Sequence, residues 1–324
     1  MKRILITGAT GFVGRRLCRV LLERGDSVIA AVRKPVAPGI LPDGVEFYVS
    51  GDIGPKTAWN KGLLKSVDVI VHLAARVHIL NDTAENPAAE FQKVNVAGTE
   101  RLLRAAAGNV KRFVYVSSLH AMRTLCEETL TEQSECLPES DYGKSKLQAE
   151  EIVRKVGRES KMETVILRPP PVYGPGNLGN LLRLFEAVQK GKMLPLGLIK
   201  NRRSLIYVEN LADALAACVH HKQAAGQTFL VSDGPQISIG ELTREVAKAF
   251  GQTQRLLPVP VGLIKLGGKL TGKSGLVERI TGSLCVDDRR IRETLDWKPP
   301  FTMQDGFRAT AEWMQSEETS RSAA

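Results

Sequence analysis

Cysteine is sparse and badly placed for cross-links: Cys18, Cys126, Cys136, Cys218 and Cys285 are scattered, odd in number, and form no CxxC pair. That argues against a disulfide framework or a cysteine zinc site and fits a reducing cytosol. Aromatic residues make up only 5% of the chain, too few for base-stacking platforms. The net charge is +10, yet no long block of Lys and Arg appears, so nucleic acid is not an expected partner. No apolar run approaches the ~20 residues that span a bilayer. The opening MKRILITGAT turns at once into a short strand-like run and glycines, unlike a signal peptide. His120, His220 and His221 have no ligand partners at useful spacing, and His78 lies in an uninformative loop, so no metal is expected. There is no internal repeat and no low-complexity block. The expectation is a soluble, cytoplasmic globular protein whose positive balance suits anionic ligands such as phosphates.

What is present is alternation. Strand-like runs RILIT (3–7), SVIAAV (27–32), VEFYV (45–49), DVIVHL (68–73), RFVYVS (112–117) and ETVILR (163–168) are separated by helix-like segments. Those segments are 12–25, 57–66, 86–107 and 141–156. Nearly continuous apolar strands joined by helices predict an α/β fold with a parallel sheet covered on both faces. Past residue 170 the regular alternation gives way to RPPPVYGPGNLG and then to helices mixed with short strands. The predicted organisation is a nucleotide-binding domain over 1–170 and a smaller, mostly helical substrate domain over 171–315. The segment 204–222 is expected to return to the first domain, and 316–324 to form a disordered tail.

Gly8, Gly11 and Gly14 lie where the first strand yields to the first helix. Gly8 permits a tight turn, Gly11 lets backbone amides approach a pyrophosphate, and Gly14 allows close helix–strand packing. At the start of a βαβ chain this spacing indicates a Rossmann-type, doubly wound dinucleotide site more than a structural turn. Thr10, Phe12 and Val13 complete the loop. The second strand ends in Arg33 and Lys34, where an NAD site usually carries Asp or Glu for the ribose 2′-hydroxyl. A guanidinium can instead pair with a 2′-phosphate, so NADP(H) is favoured over NAD(H). The bland reading is two basic residues opening a solvated loop.

In DYGKSK, Tyr142 and Lys146 stand at i and i+4 and face the same way on a helix. Alone, most such pairs are surface neighbours. Joined to the upstream glycines, they resemble the short-chain dehydrogenase/reductase superfamily, in its extended, nucleotide-sugar (NAD-dependent epimerase/dehydratase) branch. Further segments resemble that branch in order along the chain: Asp52 and Ile53, the HLAA run with Leu73, Ala74 and Ala75, Asn95, Ser117 and Ser118, LRPPPVYGPGN with Pro169 and Val172, and RRSLIYVENLADAL. The resemblance implies that these residues line the cofactor, with Tyr142 as general acid/base and Lys146 holding the nicotinamide ribose and lowering the phenol pKa. Ser118 would hydrogen-bond the reacting oxygen, and Asn180 and Arg203 would contact the substrate, Arg203 at its diphosphate.

Two departures leave the sugar open. Pro171 stands where many members have asparagine before VYG, and no basic residue is evident in TGSLCVDD, although Arg289 and Arg290 follow. The favoured expectation is an NADP(H)-dependent 4-ketoreductase of a UDP-2-acetamido-6-deoxyhexose in surface-polysaccharide synthesis. The alternatives are a UDP-hexose or UDP-N-acetylhexosamine 4-epimerase, a small-molecule ketoreductase, and a non-catalytic dinucleotide sensor. The resemblance also implies a homodimer built from 86–107 and 141–156.

Overall fold

A computed structural model describes residues 1–77, 84–177 and 179–322; His78 lies outside the described residues. Strands β1 (Arg3–Thr7), β2 (Ser27–Val32) and β3 (Glu46–Val49) alternate with α1 (Phe12–Glu23), and α2 (Lys61–Lys65) leads to β4 (Val69–His72). Next come α3 (Pro87–Phe91), a π-helical turn over Gln92–Gly98, α4 (Thr99–Ala106), β5 (Arg112–Val116) and the short β6 (Thr129–Leu130). The chain continues through α5 (Asp141–Ser160), β7 (Glu163–Arg168), β8 (Val172–Tyr173), α6 (Asn180–Gln189), β9 (Ile206–Tyr207), α7 (Val208–His220) and β10 (Thr228–Leu230). It ends with α8 (Ile239–Ala249), α9 (Val261–Leu270), α10 (Ser274–Thr281), β11 (Cys285–Val286), α11 (Arg289–Leu295) and α12 (Met303–Ser322).

Seven strands form one sheet in the order β10-β7-β5-β4-β1-β2-β3, and each recorded pairing is parallel. The apolar runs are explained by burial on both faces. One face packs on α1, α7 and α11 through Leu17, Leu21, Leu211, Leu215 and Ile291. The other packs on α2, α4 and α5 through Leu64, Leu102, Leu103 and Val153. The order reverses between β1 and β4, so their carboxyl ends, at Thr7 and His72, open the crevice where a doubly wound sheet binds ligands.

A third apolar core joins α6, α8 and α12 through Phe185, Val246 and Phe307. The chain beyond 170 returns to the sheet repeatedly: α7 and α11 pack on one of its faces and β10 extends its edge. The C-terminal segment differs from expectation, because α12 runs to Ser322. No glycine or proline follows Gly306 to break the helix, and Gln189 Nε2 donates to Glu318 Oε2 at 2.8 Å.

Candidate active site

The first turn is shaped by what it must avoid. Gly8 has φ +70°, and a Cβ there would lie 2.8 Å from the Ala74 nitrogen at the end of β4. A Cβ on Gly14 would lie 2.2 Å from the Gly8 carbonyl oxygen, so α1 packs directly on the turn. Gly11 caps α1 with extended backbone and no side-chain cap bond, which leaves the amides of Phe12, Val13 and Gly14 without a capping acceptor. Unclaimed amides at a helix start, with the macrodipole behind them, suit a pyrophosphate. These residues fit a dinucleotide.

His72 locks this turn to the opposite wall, and its tautomer follows from its neighbours. Thr99 Oγ1 donates to the Asn95 carbonyl at 2.7 Å, so it accepts from His72 Nε2 at 3.0 Å. Nδ1 must then accept, and Thr7 Oγ1 donates to it at 2.7 Å while taking the Ala74 amide at 3.2 Å. Burial pushes the imidazole down to about 3, with Lys146 adding to the effect, so His72 is neutral. Asn95, in the π-helical turn, accepts from the Arg76 amide at 2.8 Å and donates to the Arg76 carbonyl and to Ser145 Oγ, each at 3.0 Å. Ser145 in turn donates to the Tyr142 carbonyl at 2.8 Å. One run of hydrogen bonds thus joins β1, β4 and the start of α5. Leu73 and Ala75 follow His72 as a half-buried pair beside it.

Adjacent serines at the end of β5 face opposite ways, as strand alternation requires. Ser117 is buried and donates to Glu150 Oε1 at 2.6 Å. Ser118 Oγ accepts from the His120 amide at 3.2 Å, and its hydroxyl lies near enough to Tyr142 to favour the phenolate. Their approach depends on Gly143: a Cβ there would fall 2.2 Å from the His120 carbonyl, so only glycine lets α5 press on the Leu119–Ala121 turn. Ser140 caps α5 by accepting from the Gly143 amide at 3.1 Å. The Tyr142 ring lies between those of Phe91 and His120, at 6.0 and 6.1 Å.

Burial raises the Tyr142 phenol above its ordinary value, and the Ser118 contact pulls against it. Lys146 Nζ donates to the Val116 carbonyl at 2.8 Å and lies 4.9 Å from the Tyr115 ring centre. Burial lowers Lys146 to about 7, with the nearby Glu150 carboxylate opposing the shift.

Glu150 is the functional-site neighbour that local sequence patterns did not single out. It is fully buried and takes Arg168 bidentately at 2.8 and 2.6 Å, besides Ser117 and Arg154. Burial would raise its carboxyl, but Arg168, Ser117 and Arg154 outweigh that and hold it below the ordinary value. Its spacing from Lys146, one helical turn, was the available signal. Arg168 lies 18 residues away on β7, beyond any local pattern.

The remaining candidates fall at different distances from this centre. Arg33 and Lys34 are exposed at the end of β2, and Arg33 Nη1 lies 3.9 Å from Asp52 Oδ1, with 79% and 90% of the two side chains exposed. Ile53 packs against the second core and faces Gly98, where a Cβ would meet it at 2.8 Å. Pro169 is buried, and its carbonyl accepts from the Leu119 amide at 2.9 Å. Val172 is half-buried on β8. Thr10 is exposed on the glycine turn. Asn180 opens α6, and its side chain lies outside what the structure describes. The Arg203 guanidinium donates to the Arg279 carbonyl of α10.

A dinucleotide cradle at a parallel-sheet switch point, beside a Ser–Tyr–Lys set, defines the class. The sequence model of the NAD dependent epimerase/dehydratase family matches residues 4–232, and the chain belongs to that family. It is an NAD(P)-dependent enzyme of the extended short-chain dehydrogenase/reductase superfamily. It is 43% identical over 316 residues to a UDP-glucose 4-epimerase of Vibrio cholerae, covering 96% of this chain and 95% of the relative. It is 27% identical to the N-acetyl-alpha-D-glucosaminyl-diphospho-ditrans,octacis-undecaprenol 4-epimerase of Escherichia coli O157:H7, over 96% and 94% of the two chains. The fold matches that of a UDP-N-acetylglucosamine 4-epimerase from Bacillus cereus with a TM-score of 0.78, at 23% identity, over 97% of this chain and 100% of that one. These relatives do not support the expected NADP(H)-linked 4-ketoreductase, nor a preference for NADP over NAD.

Proposed function

We propose that the protein is a 4-epimerase of a UDP-hexose or UDP-N-acetylhexosamine that works with NAD. The observation that carries this reading is the Tyr142 phenol held against Ser118 and one helical turn from the buried Lys146. When bound, the nicotinamide supplies reversible hydride exchange with the sugar C4 carbon. Tyr142 takes the C4 hydroxyl proton as the carbonyl forms, and returns it to that oxygen once the ketosugar has turned over and C4 regains hydride on its opposite face. Ser118 orients that oxygen by hydrogen bonding. An unperturbed phenol needs about three pKa units of help to act near pH 7, roughly 4 kcal/mol of preferential anion stabilisation. Lys146 supplies it by leaving the Val116 carbonyl for the ribose beside Tyr142. The amides heading α1 hold the pyrophosphate, and Arg203 takes the substrate diphosphate after exchanging its Arg279 contact. The small-residue face of α3 and α4, together with α5, serves as the two-fold dimer interface.

Arg33 favours a second reading, an NADP(H)-dependent reductase, because it occupies the place of the usual ribose-binding carboxylate. The cofactor state of purified protein separates the two. The epimerase is expected to carry tightly bound NAD or NADH close to one per chain, released on denaturation. An empty protein that takes up NADPH through Arg33, losing roughly ten- to a hundredfold in affinity on Arg33→Ala, supports the reductase instead.

A further inference from the structure

Helix α9 carries apolar side chains on two opposite faces. Val261 and Ile264, both half-buried, and the buried Gly268 turn toward the protein, and a Cβ on Gly268 would lie 2.6 Å from Val277 Cγ2 of α10. Leu263, Leu266 and Leu270 are 59%, 53% and 80% exposed. At 3.6 residues per turn these three fall within about 60° of one another and opposite the inward face. A single exposed leucine is ordinary, but three on one outward stripe form a patch of the kind that marks an interaction site. Leu276 of α10, 43% exposed, adds to the apolar surface of the hairpin.

The charge around the stripe selects the partner. No acidic residue occurs between Glu245 and Glu278, whereas Lys265, Lys269 and Lys273 are exposed along the hairpin. An outward apolar stripe with lysines along its flank is the arrangement of a helix lying in a lipid headgroup layer. No described helix is long and apolar enough to cross a membrane, and α9 has only ten residues. Acidic headgroups complement the lysines while the leucines enter the acyl boundary.

We propose that the outward face of α9 docks this protein peripherally on an anionic lipid surface. Docking does not depend on which sugar or cofactor the active site takes, since no residue placed in that site lies on α9.

The test is co-sedimentation with vesicles of equal parts phosphatidylglycerol and phosphatidylcholine, beside vesicles of phosphatidylcholine alone. The wild-type protein is expected to pellet with the first, to remain largely in solution with the second, and to be released as salt is raised. A triple variant, Leu263→Ser with Leu266→Ser and Leu270→Ser, is expected to partition at least tenfold less, with its circular dichroism unchanged. Lys265→Gln with Lys269→Gln and Lys273→Gln, which keeps the leucines, is expected to lose the preference for the acidic vesicles. The proposal is overturned if wild-type protein stays in solution with acidic vesicles, or if both triple variants bind as it does. It is also overturned if the leucine variant keeps vesicle binding but falls to a smaller species on sedimentation, which would assign the stripe to a second copy of the chain.

Discussion

Tyr142→Phe is expected to reduce turnover by about two to four orders of magnitude, the usual contribution of a positioned general acid/base. The substitution removes one oxygen and leaves the ring between Phe91 and His120, so packing is retained. Affinity for the cofactor should change little, because the glycine turn and the amides heading α1 lie on a different element. Kinetics and equilibrium dinucleotide binding on the same preparation check both halves. Turnover near that of the wild type would remove Tyr142 from the mechanism. Loss of dinucleotide binding in step with turnover would make it a structural residue.

The second large effect is on stability. Glu150→Ala leaves the Arg168 guanidinium, 4% exposed, buried without its bidentate partner. Breaking such a pair from one side typically costs about 3–5 kcal/mol. At roughly 2–4 °C per kcal/mol for a chain of a few hundred residues, the melting temperature should fall by about 10 °C. Glu150→Gln keeps the shape and one acceptor oxygen, and should lose less. The pH dependence has a definite sign. The folded-state pKa of Glu150 is depressed below its ordinary value of 4.5. Its stabilisation is therefore fully present above 4.5 and is lost as pH falls through the lower folded value. Thermal melts across that range should show a shallower acid limb in Glu150→Gln than in the wild type. Identical limbs would contradict the assignment.

What was legible in the sequence was local. The glycine turn, the strands that precede and follow it, and the Tyr142–Lys146 spacing each depend on residues a few positions apart, and their backbone consequences are dictated by sterics and helix period. Ser118 was singled out over Ser117 only through the resemblance, by its distance from the strand end. Glu150 with Arg168, and Thr7 with His72 and Thr99, were not legible, since their meaning lies in pairings made between separate strands and helices. The same reason hid β10: three residues, Thr228–Leu230, become a strand only because β7 offers them an edge. Arg33 is a different case. A basic residue after β2 has the same appearance in sequence whether it reads a phosphate or projects into solvent, and its side chain here is 79% exposed. The reductase expectation rested on it.

The most direct measurement is conversion without added cofactor. Purified protein is incubated with UDP-glucose, and separately with UDP-N-acetylglucosamine, and the nucleotide sugars are separated and identified by proton NMR at C4. An epimerase that returns to the sugar what it removes is predicted to turn one of them into its C4 epimer until a fixed mixture is reached, with no net oxidation or reduction. Failure to convert either sugar, together with oxidation of added NADPH when a UDP-4-keto-6-deoxy sugar is supplied, would contradict the epimerase and restore the reductase.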